Sequence, residues 1–516
     1  MCKLYRLLHT IKYLKFIQIY FRLFYVTRSY LRKFRNFDYV LSISSVSTHL
    51  TLVKSIPCKN LFSKNRFMFL NQSFTFKKNI DWNFTLYGKL WTYNLNYFDY
   101  LHQEETSKDD GLRLIYDFIE QSDKVIDGLE AFPISLRGIN WIKFLVKYKI
   151  DDTKINDSLY AQYQILMDNI EYHLLGNHLL ENGFSLLFSA YYFQDERFYD
   201  KAKKILIYEL EEQILDDGAH FELSPMYHQI MLFRVLDCIN LIKNNNWKNH
   251  ELLQLFMNKA EIMLGWLNAI TYKNGCIPLL NDSSNKIAPT TNELNHYASQ
   301  LKVKIKNIKL QESGYRMVSN NRYECIIDVG NIGPDYIPGH AHADTFNFEL
   351  YIDKTPFIVD IGVSTYETNN RRLFERSTVS HNTVEIAGCS QSEVWGGFRV
   401  AERAFITQLD ERDNRVRAMH NGYEKRLNAL HEREFIFENN SINIIDKIIS
   451  EHEQKAVARI HFHPDVDESM IKQYIQFKNS EYSINIYQYA PEFNVLIDAK
   501  VLEIPFTTKL EMRVVL

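Results

Sequence analysis

The chain is poor in the two residues that punctuate loops. Only 18 Gly and 11 Pro in 516 residues exclude collagen-like, low-complexity and wholly disordered classes. Its six cysteines (Cys2, Cys58, Cys238, Cys276, Cys325, Cys389) form no CxxC pair and lie far apart, which excludes a zinc ribbon or a disulfide framework. Neither sign of charge is in excess: 60 Lys and Arg against 63 Asp and Glu leave −3, which argues against a nucleic-acid partner held by a general basic surface. Long hydrophobic runs are missing as well. The longest uncharged run near the start, Phe16 to Phe21, is too short for a signal-peptide core or a membrane span, so neither export nor insertion is expected.

Aromatic residues are abundant, with 32 Tyr, 34 Phe and 6 Trp. A Tyr-rich cleft suits flat, hydroxylated ligands such as sugars, although a Tyr-rich core accounts for the same composition. Residues 1–40 carry nine Lys or Arg and one acid, Asp38, interleaved with Leu, Ile, Phe and Tyr. This predicts a basic amphipathic helix, either lying on an anionic membrane surface or packed on the main body with its cations in water.

The length fits two to four domains. Residues 41–108 look irregular, with short β-like runs at 67–70 and 74–76 and an aromatic segment, Leu90 to Tyr100, that fits a lead-in strand or turn. From 109 to 310 apolar residues recur at three- and four-residue spacing, as in Ile230, Phe233 and Leu236, so antiparallel helices are expected. From 311 to 516 the period becomes two, as in 345–352 and 482–487, the half-buried strand pattern. A helical half followed by a strand half makes an α+β chain of separate domains.

Three polar clusters could carry chemistry. In Gly339-His340-Ala341-His342-Ala343-Asp344 the titratable residues alternate, so an extended chain points all three one way, opposite Phe346 only if the register breaks. Asp360 among apolar residues needs a partner, and with His342 and His381 it makes either a zinc site or a buried hydrogen-bonded network. In Gly176 to Asn182, Asn177 suits an N-cap, while His178 and Glu181 share a helix face. In Asp216 to His228, a Gly turn and a Ser-Pro helix start deliver Tyr227 and His228 into the first turns of a helix.

Taken together, these clusters resemble the heparinase II/III family of polysaccharide lyases over roughly residues 85–510. The resemblance is carried by His340 to Thr345, Val359 to Gly362, Arg376 to Thr378, His381 to Thr383 and Ser392 to Arg399. In the helical half it is similar to members encoded with bacterial capsule and O-antigen genes, through Trp91 to Leu101, Asn177-His178 and Tyr227-His228. The resemblance implies an incomplete α/α toroid followed by an antiparallel β-sandwich domain with the cleft between them. It also implies β-elimination on a uronic acid: removal of the C5 proton and departure of O4. Asn177 and His178 would hold the substrate carboxylate, Tyr227 would protonate O4, and Tyr227 or His340 would take the C5 proton. Glu181 could orient His178, and His228 would assist in binding substrate. His342, Asp360 and His381 would hold a structural zinc; no organic cofactor is implied. Arg137 and Trp141 could form a carboxylate clamp and sugar platform, although a helix packed through Trp141 is the reading favoured over it.

The family points to the cell envelope, and the missing signal run points to the cytoplasm or the cytoplasmic membrane face. A glycoside hydrolase on the same frame would need an acid and a base across the cleft, where the residues singled out offer one carboxylate, Glu181. An epimerase sharing the proton-abstraction step would invert C5 without cleavage, and a glycan-binding or assembly protein would need neither.

Overall fold

The computed structural model describes residues 2–59, 61–336, 338–478 and 481–516. Cys58, Cys238, Cys276, Cys325 and Cys389 are free thiols; the side chain of Cys2 lies outside the described residues.

The basic start forms two helices, α1 (Cys2–Ile11) and α2 (Phe16–Phe34), in place of one. The break falls where the Lys15 N–H donates to the Gln18 side chain (2.9 Å) and starts a new helix. Residues 41–59 follow as an extended strap tied to the helical half, for example by the Val53 N–H on Asn240 Oδ1 (3.0 Å).

Around its short strands the lead-in is irregular, but it packs into the helical core and is not a separate unit. Strands β1 (Phe62–Ser63), β2 (Arg66–Phe69) and β3 (Gln72–Thr75) form an antiparallel meander. Leu90 to Tyr100, expected as strand or turn, is helix α3 (Lys89–Tyr97) followed by a 3-10 turn. Its aromatics hid a helical period: Trp91, Leu95 and Phe98 are fully buried, at i, i+4 and i+7. Phe67, Phe69, Trp91 and Tyr100 pack edge-on or tilted against one another inside the same core as the helices that follow.

Those helices are α4 (Lys108–Gln121), α5 (Ala131–Tyr148), α6 (Thr153–Asp168), α7 (Gly176–Phe193), α8 (Glu196–Gln213), α9 (Pro225–Asn244), α10 (Leu253–Ile270) and α11 (Thr291–Gln300). Ser107, Asp152, Asp195, Ser224 and Thr290 cap them with side-chain oxygens on first-turn amides. The α7 helix is buried on nearly every side and forms an inner wall, whereas α8 shows one buried stripe.

The strand half stacks antiparallel sheets. The first, in order, is β4 (Tyr315–Ser319), β5 (Tyr323–Asp328), β6 (Phe348–Ile352) and β7 (Thr355–Ile358). Next come β8 (Val384–Ile386), the hairpin β9 (Val394–Trp395) and β10 (Arg399–Val400), then β11 (Ile406–Arg412), β12 (Arg415–His420), β13 (Ala429–Glu438), β14 (Ser441–Ser450) and β15 (Ala456–His461). The chain ends with β16 (Ile475–Phe477), β17 (Ser483–Tyr489), β18 (Ile497–Phe506) and β19 (Lys509–Val515). One sheet runs β17-β18-β15-β8, another β11-β12-β13-β14-β19-β16.

Strand β6 is buried on both faces and not on one, because the helical half covers its second face. Tyr272, after α10, stacks on Tyr351 (3.7 Å between ring centroids) and its hydroxyl donates to Glu349 (2.9 Å). Residues 271–290 cross irregularly between the halves and deliver polar side chains into the joint.

Candidate active site

Ser224 caps α9: its Oγ accepts the Tyr227 N–H (3.2 Å), with Pro225 in the first turn. Tyr227 is thereby fixed in the first turn, half-buried, with its ring 4.0 Å from that of His340. A phenol from the helical half and an imidazole from the strand half thus meet. The His340 Nδ1–H donates to Asp282 Oδ2 (2.8 Å), and the backbone returns the contact, the Asp282 N–H donating to the His340 carbonyl (3.1 Å). Asn281 makes the turn at φ 55°, a conformation Asn tolerates.

Asp282 also accepts from His342 Nε2 (2.8 Å) and from the fork of Arg372, whose Nη2 lies 2.6 Å away. Arg372 stands on the short helix α12 (Asn370–Glu375). Burial alone would raise the Asp282 carboxyl; Arg372, His340 and His342 outweigh it and hold it well below the usual range. Asp282 fixes which ring nitrogen of His340 it holds, Nδ1, so that Nε2 is the nitrogen left facing Glu222. Tyr366 and Phe398 close the aromatic box, 5.8 and 5.9 Å from the His340 ring.

The facing wall is the start of α7. Asn177 is buried within the first turn and is not the N-cap, which is Leu175. Its N–H donates to Glu222 Oε1 (3.3 Å). The other oxygen, Glu222 Oε2, is buried without a hydrogen-bond partner and lies 3.9 Å from His340 Nε2. Burial raises the Glu222 carboxyl, opposed in part by His340 and the Asn177 amide. His178 Nδ1 donates to Glu171 Oε1 (3.0 Å) and its ring rests on Phe132 (4.5 Å). Burial would lower this imidazole, but Glu171 prevails and raises it, favouring imidazolium. Burial raises the Tyr227 phenol well above its usual value, so at neutral pH it is a proton donor.

The family model "Heparinase II/III N-terminus" matches residues 85–305, and "Heparinase II/III-like, C-terminal" matches 305–501. The chain belongs to the heparinase II/III family. A heparin-sulfate lyase of Bacteroides stercoris is 21% identical over 375 residues, 67% of this chain and 53% of that protein, so the chain spans about half that relative's length. The crystal structure of heparinase III superposes with a TM-score of 0.66 at 16% identity, covering 85% of this chain and 79% of the other. That of a mutant of the heparan sulfate lyase HepC from Pedobacter heparinus gives 0.55 at 16%, covering 87% and 81%. The fold is therefore the incomplete toroid plus β-sandwich.

In this heparinase II/III-family chain the shared strand-half motifs mostly stitch backbone. Arg376 donates to the Ala341 carbonyl (2.9 Å) and Thr378 to that of Ala343 (2.8 Å). Asn382 donates to the carbonyls of Phe348 (2.8 Å) and Val359 (2.9 Å). The 340–344 run splits: His340 and His342 reach Asp282, whereas Asp344 senses the charges of His381 and Asp360. The register breaks at Phe346, φ 70°, which turns its ring into the β core.

Of the expected zinc ligands, Asp360 is already engaged. It accepts from His381 Nδ1 (2.7 Å), Asn347 Nδ2 (2.5 Å) and the Gly362 amide (3.0 Å). Gly362 can be nothing larger, since a Cβ there would sit 2.0 Å from the Ala490 carbonyl. His342 Nδ1, His381 Nε2 and Asp344 Oδ2 are buried and unpartnered. Two open imidazole nitrogens suit a metal, while both oxygens of Asp360 are engaged and one of them orients His381. Among the described residues no group of three or more His, Cys, Asp or Glu is arranged to hold a metal ion.

Four expected binding residues are buried within the helical half. Arg137 is fully buried, donating to Gln162 Oε1 (2.7 Å) and the carbonyls of Asn96 and Gly128 (3.1 and 2.9 Å) over the Phe118 ring; burial pushes it down to about 9. It locks α5 and cannot clamp a ligand. Trp141 is fully buried between Phe98 and Phe118, so it is no platform. His228 accepts the His220 N–H on Nδ1 (3.1 Å) and binds the Met263 carbonyl through Nε2 (3.0 Å); its tip points into the core. Glu181 pairs with Arg234 Nε (3.2 Å), and Glu171 takes the place assigned to it beside His178. A cavity of 1040 Å³ lies under the 47–57 strap, bordered by Lys143 and Asp237; these two are paired with each other (2.8 Å), which sets it apart from the cleft.

Glu171, Glu222, Asp282, Arg372 and Tyr366 were missed as site residues. Glu222 stands inside the 216–228 cluster, and Asn281-Asp282-Ser283-Ser284 is a polar run beside Leu279-Leu280. Nothing in the sequence marks Glu171, Arg372 or Tyr366.

Proposed function

We propose that the chain is a lyase that cleaves a uronic-acid-containing polysaccharide by β-elimination. The observation that carries this is the meeting of Tyr227 and His340 at 4.0 Å, one poised as acid and the other with Nε2 clear of Asp282. His340 Nε2 takes the C5 proton, the C5–H electrons form the C4=C5 double bond, and the C4–O4 bond breaks. O4 leaves with the Tyr227 proton, so no water is consumed. The C5 proton is weakly acidic, and the charge that develops spreads into the neighbouring carboxylate. A protonated His178, supported by Glu171, and the Asn177 side chain would neutralise that carboxylate.

Hydrolysis by two carboxylates finds less support, since Asp282 is tied to Arg372 and Glu222 is the remaining carboxylate with an open oxygen in the box. The acidic-polysaccharide substrate is placed, within the same proposal, among bacterial surface glycans, the setting of the members this chain resembles, with peripheral membrane attachment through residues 1–40. The test is incubation with a panel of uronate polymers. The ultraviolet band of a 4,5-unsaturated product supports elimination; new reducing ends without that band mean hydrolysis and overturn it.

Zinc belongs to the same proposal. His342 and His381 would offer Nδ1 and Nε2, with Asp344 or water completing the shell and the ion serving structure. Metal analysis and thermal unfolding with and without chelator decide it: stoichiometric zinc with a chelator-dependent Tm supports binding, and metal-free protein of unchanged Tm rejects it.

A further inference from the structure

A surface helix ordinarily buries its apolar stripe and gives its polar face to water. The α2 helix is reversed. Its body-facing positions, three and four apart, are Gln18, Phe21, Tyr25, Arg28 and Arg32. Gln18 donates to the Leu174 carbonyl (3.1 Å), Tyr25 to that of Ile170 (2.5 Å), and Arg28 and Arg32 pair with Asp168 (2.9 and 2.6 Å). Opposite them Phe16, Leu23, Tyr30 and Phe34 are 81, 64, 73 and 88% exposed, at the spacing of one helix face. Leu8 of α1 is exposed too. Arg22 and Lys33 flank this stripe, exposed, and form no ion pair among the described residues.

The same two helices run across both walls of the cleft. On the strand half, Tyr5 donates to Glu402 (2.6 Å), Arg6 pairs with Glu393 (2.6 Å), and Trp395 Nε1 donates to Thr10 Oγ1 (3.1 Å). These contacts fall on Trp395 of the β9–β10 hairpin and on Glu393 and Glu402, which flank it; the hairpin turn holds Phe398 against His340. On the helical half, α2 grips 168–174, the segment that holds Glu171 against His178; Phe21 stacks on Tyr172 at 4.7 Å.

We propose that the outer face of α1–α2 docks on an anionic lipid bilayer and sets the rim of the cleft against it. Aromatic and aliphatic side chains enter the headgroup boundary while Arg22 and Lys33 meet anionic headgroups. No helix among the described residues is long and apolar enough to cross a membrane, so the pair lies on the surface. A second copy is a poorer occupant: residues 1–40 hold one acid, Asp38, and stripe against stripe would bring cations onto cations. Resting on the lyase reading, the docked cleft acts on glycan anchored in or assembled on lipid.

Flotation of the full chain with phosphatidylcholine vesicles, with and without phosphatidylglycerol, tests this independently of activity. Wild type floats with the anionic vesicles. Leu23→Glu/Tyr30→Glu lowers the bound fraction at least about ten-fold while Tm and turnover of soluble polymer stay unchanged, and each of Arg22→Ala and Lys33→Ala lowers anionic binding about five-fold. Wild type that fails to float, variants that bind equally, or self-association abolished by the same variants would overturn the proposal; loss of the lyase reading would leave the flotation result standing.

Discussion

Helices α7 and α9 carry charge into the interior at two places along their length, and the two places differ. Near the strap, Glu181 holds Arg234, while Asp237 takes Lys143 (2.8 Å), Ser55 (2.9 Å) and Tyr297 (2.9 Å), and none of these charges is left without a partner. At the cleft, about 15 Å away along α9, Glu222 Oε2 stays buried and open, His340 Nε2 faces it, and Tyr227 keeps its proton. Both clusters are polar and reach into the interior, the first between helices and the second between the helical and strand halves. A closed network fixes a fold; one with unspent donors and acceptors is arranged to receive something.

The sharpest way to break that comparison is Tyr227→Phe, which should lower turnover about 10²- to 10⁴-fold with product binding, read by calorimetry, nearly intact. Full activity would move the proton donor elsewhere. Next in size, removing one member of the closed network, as in Glu181→Leu, should cost about 3–5 kcal/mol in denaturant unfolding by stranding Arg234, whereas Glu181→Leu/Arg234→Met should come out near neutral. A double variant as unstable as the single one would mean that the pair itself stabilises the fold.

Smaller effects sharpen the cleft side. Glu222, raised by burial, adds negative charge beside an anionic substrate as it deprotonates, so kcat/KM should fall with rising pH, and Glu222→Gln should flatten that limb without lowering Tm. An unaltered profile would remove Glu222 from the site. Glu349, at the joint, is pushed up to about 7 by burial and by Asp360. Its folded pKa lies above the unfolded value, so its contribution is complete below about pH 4.5 and lost as pH rises through 7. Thermal unfolding should show a loss of about 1–3 kcal/mol by about pH 8, absent in Glu349→Gln.

The pattern of residue types was enough for the helical and strand halves, since periods of 3.6 and 2 survive any tertiary arrangement. It failed at α3, where buried aromatics on several sides blurred the helical period, and at β6, where alternation implied a wet face that the helical half covers. For the site, Tyr227 was legible through its Ser-Pro helix start and His340 through its spacing. His228 was misread because an amphipathic residue on a helix reads the same whether its tip meets substrate or the neighbouring helix; for Arg137 and Trp141 the packed helix, the favoured reading, is what the structure shows.

By itself the sequence determined local matters: where helices start, which stretches alternate, which short runs mark the family, and that residues 1–40 are basic and aromatic. Only the tertiary structure decided that Asp282, from a crossing with no periodicity, anchors His340; that Glu171 and not Glu181 holds His178; and that α2 turns its apolar side outward. Hydrogen bonds and ion pairs between residues far apart in the chain depend on the path of the backbone between them, and no local pattern of residue types encodes that path.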